Sequence, residues 1–428
     1  MKFAPYFILA GTLLVFTLSC EHSSKQSEKN PEKTEVTAKD ILGNKAYRAI
    51  SYGGYRKKSR DIQPTIPQLK EDMQILSAMG IRVLRTYNVQ LSQAGNILKA
   101  ISELKKEDPN FEMYVMLGAW IDCKHAWTDM EPDHNVESEQ NEGEIERAAA
   151  LAQQYPDIVK IIAVGNEAMV RWATSYFVQP EVILKWVNHL QALKKEGKLH
   201  KDLWITSSDD FSSWGGGDSS YHTDDLAKLA EAVDYISMHT YPYHNSHYNP
   251  AFWYVPDEEA ELTKIEKIDA AMLRARDFAK AQYDSVSAYV KSLGLEKPIH
   301  IGETGWATVS NGHYGPKGSK ATDEYKQGLY HRHMREWTES AGISCFYFEA
   351  FDEPWKDAGN AKGSENHFGL ITVDGQAKYP LWQLVDEGIF QGLTRDGNPI
   401  VKTFDGNKDT LMKTVMVPPT QQEMAVSN

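Results

Sequence analysis

The segment VKIIAVGNE, Val159–Glu167, decides how the chain is read. Its apolar run Ile161–Val164 has the composition of a strand buried on both faces, and it ends abruptly in Gly165, Asn166 and Glu167. Runs of the same kind recur on either side: RAISYGG (48–54), IRVLRTYNV (81–89), EMYVMLGAW (112–120), LWITSSDD (203–210), VDYISMHTY (233–241), PIHIGETGW (298–306) and SCFYFEAF (344–351). Between them, apolar residues at helical spacing mark Ile66–Gly80, Glu142–Tyr155, Pro180–Gly197, Asp224–Ala232 and Thr322–Gly342, and YPLWQLVDEGIF (379–390) closes the series. Strands alternating with helices in one direction imply a parallel sheet. Eight such units predict an α/β fold, a (β/α)8 TIM barrel, with long loops after strands 3 and 6. A doubly wound open sheet would need a glycine-rich phosphate turn after its first strand, and SYGGYRKKSR offers only Gly53 and Gly54.

A barrel keeps its chemistry just past the carboxyl ends of its strands. Glutamates stand at three of those ends: Glu167 after IIAVGN, Glu303 in IHIGETGW and Glu349 in FYFEAFDEPWK. Glu167 has a structural reading of its own, because Asn166 could cap a helix whose first turn favours an acidic residue. As a pair, Glu167 and Glu303 close strands 4 and 7 and face each other across a barrel mouth. Two carboxyl groups flanking a cleft are what glycosidic cleavage requires, one to protonate the leaving oxygen and one to attack or orient water. Seven of the 11 tryptophans lie at the same end: Trp120, Trp127, Trp172, Trp214, Trp253, Trp306 and Trp355. They either fill gaps under long loops or offer platforms to the flat C–H faces of sugar rings.

With these motifs in order, VGNE and GETGW resemble the acid/base and nucleophile motifs of the clan A retaining glycoside hydrolases. The finer resemblance is to glycoside hydrolase family 17, the β-1,3-glucanases. It is carried by SYGGY, RTYN (Arg85–Asn88), HTYPYH (His239–His244), FEAFDEPWK (Phe348–Lys356) and ENHFGL (Glu365–Leu370), in order between about residues 47 and 385. The resemblance implies Glu167 as acid/base and Glu303 as nucleophile. It implies Asn166 on the sugar 2-hydroxyl and Tyr241 on Glu303, with Arg85 and Tyr87 lining the same region. Glu353, Trp355 and Lys356 would hold glucosyl hydroxyls and a ring face, and Tyr52, Trp120 and Trp306 complete the expected substrate contacts. Glu349 would support strand 8. A β-1,3-glucan is the expected partner, cleaved without cofactor or metal by a monomer. Transglycosylation on the same fold, or a surface lipoprotein that binds glycan without cleaving it, are the alternatives.

Charge and composition agree with a neutral ligand. The chain carries 46 basic against 59 acidic residues, a net charge of −13, which argues against nucleic acid. Three cysteines give no disulfide framework, and Cys123 and Cys345 are expected inside. His239, His244 and His247 cluster, but at no familiar metal spacing. MKFAPYFILAGTLLVFTLSC (1–20) resembles a lipoprotein signal, with Lys2, an apolar Phe7–Leu18 and Cys20 as lipidation site. The expected organisation is a signal over 1–20, a disordered polar tether over 21–44, the catalytic barrel over 45–390 and a C-terminal extension over 391–428. Membrane anchoring at the outer membrane follows from the lipidation reading.

Overall fold

The computed structural model describes residues 35–427; the expected signal segment, Cys20 and most of the tether lie outside the described residues. Eight parallel strands close into a barrel. They are β1 (Arg48–Ser51), β2 (Ile81–Arg85), β3 (Tyr114–Ala119), β4 (Val159–Asn166), β5 (Trp204–Asp210), β6 (Ile236–His239), β7 (Ile299–Gly305) and β8 (Cys345–Phe348). Each pairs with its sequence neighbours, and β8 returns to β1 through Ala49 opposite Phe346. Every strand run read from the sequence is a barrel strand. The connecting helices are α1 (Ile66–Ala78), α2 (Ser92–Glu107), α3 (Gln140–Gln154), α4 (Pro180–Lys195), α5 (Asp224–Ala232), α6 (Lys264–Ser292), α7 (Glu324–Ala341) and α8 (Trp382–Asp386). Thr65 begins α1 with a capping box completed by Gln68, and Pro67 sits in its first turn, where a missing N–H costs nothing.

Two apolar layers result from the alternation of side chains along the strands. Residues such as Ile50, Leu84, Val115, Ile162 and Ile205 pack outward against the helices. Ala49, Val83, Met116, Ile161, Ala163 and Phe346 fill the lower interior with Ala38, Ile41 and Leu42. The last three correct the expected tether. Thr37 caps a short helix, Ala38–Ile41, and Gly43 N donates to Ser344 Oγ at 2.9 Å, so the ordered barrel begins near Val36. Those few apolar residues close the floor of the barrel.

The connection after β3 is long, with a two-stranded ribbon of Cys123–Lys124 and Asp133–Glu137. The connection after β6 is also long, but 29 of its residues form α6. The C-terminal extension packs on the barrel. Arg395 is fully buried and its Nε donates to Asp72 Oδ1 of α1 at 3.0 Å, while Val255 N donates to Pro419 O at 3.0 Å. Among the described residues, no helix is long and apolar enough to cross a membrane.

Candidate active site

Glu303 lies near the carboxyl end of β7, opposite His239 in the β6–β7 register, and is only 7% exposed. Burial alone would push its carboxyl up, since a charge loses hydration there. Three donors and a nearby cation reverse this. Arg85 Nη1 and Tyr241 OH donate to its two oxygens, Tyr87 OH donates to Oε2 at 3.0 Å, and the Lys356 ammonium adds positive potential. The net result is a carboxyl held below the usual range, thus ionised at neutral pH. Arg85 is fixed in turn by Gly302 O at 3.1 Å and by Asn166 Oδ1. Because Arg85 takes the amide oxygen, Asn166 keeps its NH2 as a donor with no partner among the described residues.

Glu167 has the opposite bias. Burial, the Glu303 charge and the Asp210 charge raise its carboxyl well above the usual range, so it holds a proton. One oxygen of Glu167, one of Glu303 and a ring nitrogen of His239 all lie within 4.8 Å of one another. Both Glu303 oxygens already accept hydrogen bonds, one from the Arg85 cation, a balance that suits a free carboxylate better than a divalent ion beside the same guanidinium.

The backbone explains how Glu167 reaches this place. No helix starts after Asn166; the chain runs irregularly to Pro180, so the cap reading is set aside. Gly165 has φ +81° and Glu167 itself φ +46°, and Glu167 N donates to Ser208 O at 3.0 Å. A left-handed Glu is an uncommon conformation that surrounding contacts must hold. A side chain at Gly165 would meet Ala168 Cβ at 2.9 Å as well as needing that φ.

His239 is the contributor the sequence did not single out as such. Its Nδ1 is 3.0 Å from Glu167 Oε1 and its Nε2 2.8 Å from Ser208 Oγ, which is 2.9 Å from Ser237 Oγ. Burial lowers its pKa to about 4, so the ring is neutral. The consistent proton order has Nδ1–H donating to Glu167 Oε1 and Ser208 O–H donating to Nε2, which leaves the second Glu167 oxygen to carry its proton outward. Period two along β6 puts Ser237, His239 and Tyr241 on one face, the signal that could have found it.

Other expected contacts divide. Trp120 is half-buried and groups with Trp127 and Tyr176; Trp127 stacks on Tyr176 at 5.0 Å between ring centroids. Trp355 is half-buried, and Lys356 Nζ bonds Glu349 Oε2 at 2.9 Å. Three expectations are corrected. Tyr52 is fully buried with its OH on Asp72 Oδ2 at 2.9 Å, and Trp306 is fully buried with Nε1 on Ala321 O at 2.8 Å, so neither reaches the mouth. Glu353 is 2% exposed, and its oxygens accept from Tyr55 N at 3.0 Å and Trp355 Nε1 at 2.8 Å. It orients Trp355 instead of facing a ligand. Trp214 and Trp253 are also fully buried, filling space under loops, whereas Trp127 and Trp172 are exposed.

Known proteins fit this geometry. An endo-laminarinase from Formosa Hel1_33_131, of known structure, is 70% identical with a TM-score of 0.90, over 90% of this chain and 98% of that one. The glucan 1,3-beta-glucosidase of Arthroderma benhamiae is 27% identical over 319 residues, 72% of this chain and 82% of that protein. The putative glucan endo-1,3-beta-glucosidase btgC of Aspergillus niger is 24% identical, and this chain spans only 39% of its length. The BtgE/BtgC glycoside hydrolase domain matches residues 49–369, three quarters of the chain, and the chain belongs to that family.

Proposed function

We propose that the protein is a retaining endo-β-1,3-glucanase that cleaves laminarin-type glucans by double displacement. The observation that carries the reading is the carboxyl pair, within 4.8 Å by nearest oxygens and with opposite proton biases. Retaining enzymes hold such a pair about 5–5.5 Å apart, whereas inverting ones leave room for a water at about 6.5–9.5 Å. The 70% identity to an endo-laminarinase supports the substrate class and internal cleavage.

In this mechanism Glu303 attacks the anomeric carbon while Glu167 gives its proton to the departing glucosyl oxygen. Asn166 donates its free N–H to the 2-hydroxyl of the reacting ring, a contact that strengthens as charge develops there. Tyr241, Tyr87 and Arg85 hold Glu303 in one orientation, which removes most of the rotational search from the attack. Once Glu303 is esterified its negative charge is gone. The repulsion that kept Glu167 protonated falls away, and Glu167 becomes the base for the incoming water. Burial sets both carboxyls in a low dielectric, where this coupling is strong.

Exchange of single atoms tests the assignment. Glu303→Gln is expected to lower kcat on laminarin by about 10^3-fold or more. Glu167→Gln is expected to cost about 10^2–10^4-fold on the same substrate. Much of that loss should disappear with an aryl β-glucoside whose leaving group needs no proton. Equal defects of Glu167→Gln on both substrates would remove Glu167 from the acid role.

Transfer to a sugar hydroxyl is a second reading, favoured by the aromatic group of Trp120, Trp127 and Tyr176, which lies on the Glu167 side of the mouth. Products longer than the starting oligosaccharide would mark it. The lipid anchor at Cys20, the outer-membrane location and the monomeric state are further parts of the proposal. Lys2, the apolar Phe7–Leu18 and the Ser19–Cys20 junction support the anchor. Radiolabelled fatty acid incorporated by the wild type and not by Cys20→Ser would be its signature.

A further inference from the structure

A second cavity lies behind the wall of the mouth. It is partly open and holds about 460 Å³, the size of a small-ligand site, and none of Glu167, Glu303, Asn166, Arg85 or Tyr241 lines it. The turn after β8 separates the two spaces. Lys356 acts on Glu303 on the mouth side, while Asp352, Pro354 and Asp357 line the cavity. Its other walls include Lys58 after β1, Thr308 and Val309 after β7, and Val373, Lys378 and Phe404 from the C-terminal part.

Phe404 is the unusual member. It has φ +53° and is followed by Asp405 at φ +50° and Gly406 at φ +71°, three left-handed residues in succession. Left-handed backbone is rare for a bulky residue and persists only where the surroundings enforce it. The ring is half-buried and joins neither apolar cluster of the core. The turn therefore sets Phe404 at the cavity wall rather than in the interior.

The polar lining is equally specific. The Lys378 ammonium is fully engaged by Asp352 Oδ1 at 2.7 Å, Thr308 Oγ1 at 3.0 Å and His367 O at 3.1 Å. Glu324 Oε2 accepts from Tyr379 N at 2.9 Å and Thr403 Oγ1 at 2.7 Å. That leaves Glu324 Oε1 without a hydrogen bond among the described residues, while Asp352 Oδ2 lies 3.6 Å from His367 Nδ1, and all three groups line the cavity. One aromatic face beside carboxylate acceptors fits a neutral polyol: ring C–H groups against Phe404, hydroxyls donating to Glu324 and Asp352. Glu324, Asp352, Asp357 and Asp374 outnumber Lys58 and Lys378 in the lining, a balance that disfavours an anion.

We propose that this cavity is a second, non-catalytic glucan-binding site that takes glucosyl units of the polysaccharide through Phe404, Glu324 and Asp352. The proposal rests on the β-1,3-glucanase reading for the identity of the sugar. A chain held at two places on one protein re-enters the catalytic mouth at raised effective concentration, so the gain belongs to long substrates.

The test replaces Phe404→Ala, and separately fills the cavity with Val309→Arg, in the full chain. With laminarin as substrate, each is expected to raise KM at least threefold with kcat unchanged. With laminaritetraose, too short to span both sites, kcat/KM should equal the wild type, which also reports intact folding. In a Glu303→Gln background, retention in a laminarin-containing native gel should fall at least threefold on adding either change. Unchanged KM and unchanged retention in both variants would overturn the second site while leaving the catalytic reading in place. A wild-type chain that neither cleaves nor binds laminarin would overturn both.

Discussion

The chemistry of the mouth depends on two chemically identical side chains being made unlike. Burial and two neighbouring negative charges keep Glu167 protonated, while Arg85, Tyr241 and Lys356 outweigh burial at Glu303. The signs fix a bell-shaped pH profile. Activity is lost at low pH as Glu303 gains its proton, below the ordinary carboxylate range. It is lost at high pH as Glu167 gives its proton up, above that range. His239 adjusts the alkaline limb. Replacing it by Phe removes the N–H facing Glu167 Oε1, which destabilises the carboxylate and moves that limb to higher pH. It also frees the carboxyl to rotate, at a cost of about 10^2-fold in kcat/KM. A pH–rate series on His239→Phe checks both; a lower kcat with the limb in its wild-type place would mean that His239 only packs. Glu167 and Glu303 were legible because each ends an apolar run. His239 was not, because its function lies in a hydrogen bond between the end of β4 and β6 that no single motif contains.

At the scale of elements, the strands could be read because each is apolar and short with a polar end. The helix α6 could not. Its buried face is built from Ala271, Ala275 and Ala279 among Ile268, Met272, Val286 and Val290, and small side chains leave a weak amphipathic signal. Motif position also misleads within an element. Tyr52 follows β1 at the mouth end, yet its ring turns outward to α1, where Asp72 gathers Tyr52 OH, Arg56 Nη2 at 2.8 Å and Arg395 Nε at 3.0 Å. This hub joins β1, α1 and the C-terminal part, and Asp72 is fully buried. Tyr52→Phe therefore leaves a buried carboxylate short of one donor. The expected loss is about 1–3 kcal/mol in denaturant unfolding with kcat/KM on laminarin unaltered. A tenfold fall in kcat/KM at wild-type stability would return Tyr52 to the substrate. Trp306 differs in the same way: GETGW brings it to the strand end, but its indole N–H is satisfied by Ala321 O inside.

For the whole molecule, the barrel is closed below by Ala38, Ile41 and Leu42 and buttressed on its side by the segment after Phe390. Neither was visible in the sequence. A handful of apolar residues after a polar stretch reads as linker, and an extension with a few scattered hydrophobes has no period to betray where it docks. Deleting residues 391–428 strips Asp72 of Arg395 and removes the buried side chains of Leu411 and Val415. Asp72 keeps Arg56 and Tyr52, so losing Arg395 there is expected to cost about 1–3 kcal/mol, seen as a lower melting temperature. An unchanged melting temperature would make the extension an appendage. The second cavity is walled partly by the same segment, so the truncated chain should also lose its preference for long glucans.

The central claim is retention through a Glu303 intermediate, and the anomer released first measures it most directly. Proton NMR during the opening minutes of laminarihexaose cleavage, before mutarotation, resolves the new reducing ends. The carboxyl spacing predicts that they appear as the β anomer and drift to the equilibrium mixture. New reducing ends appearing first as the α anomer would contradict it.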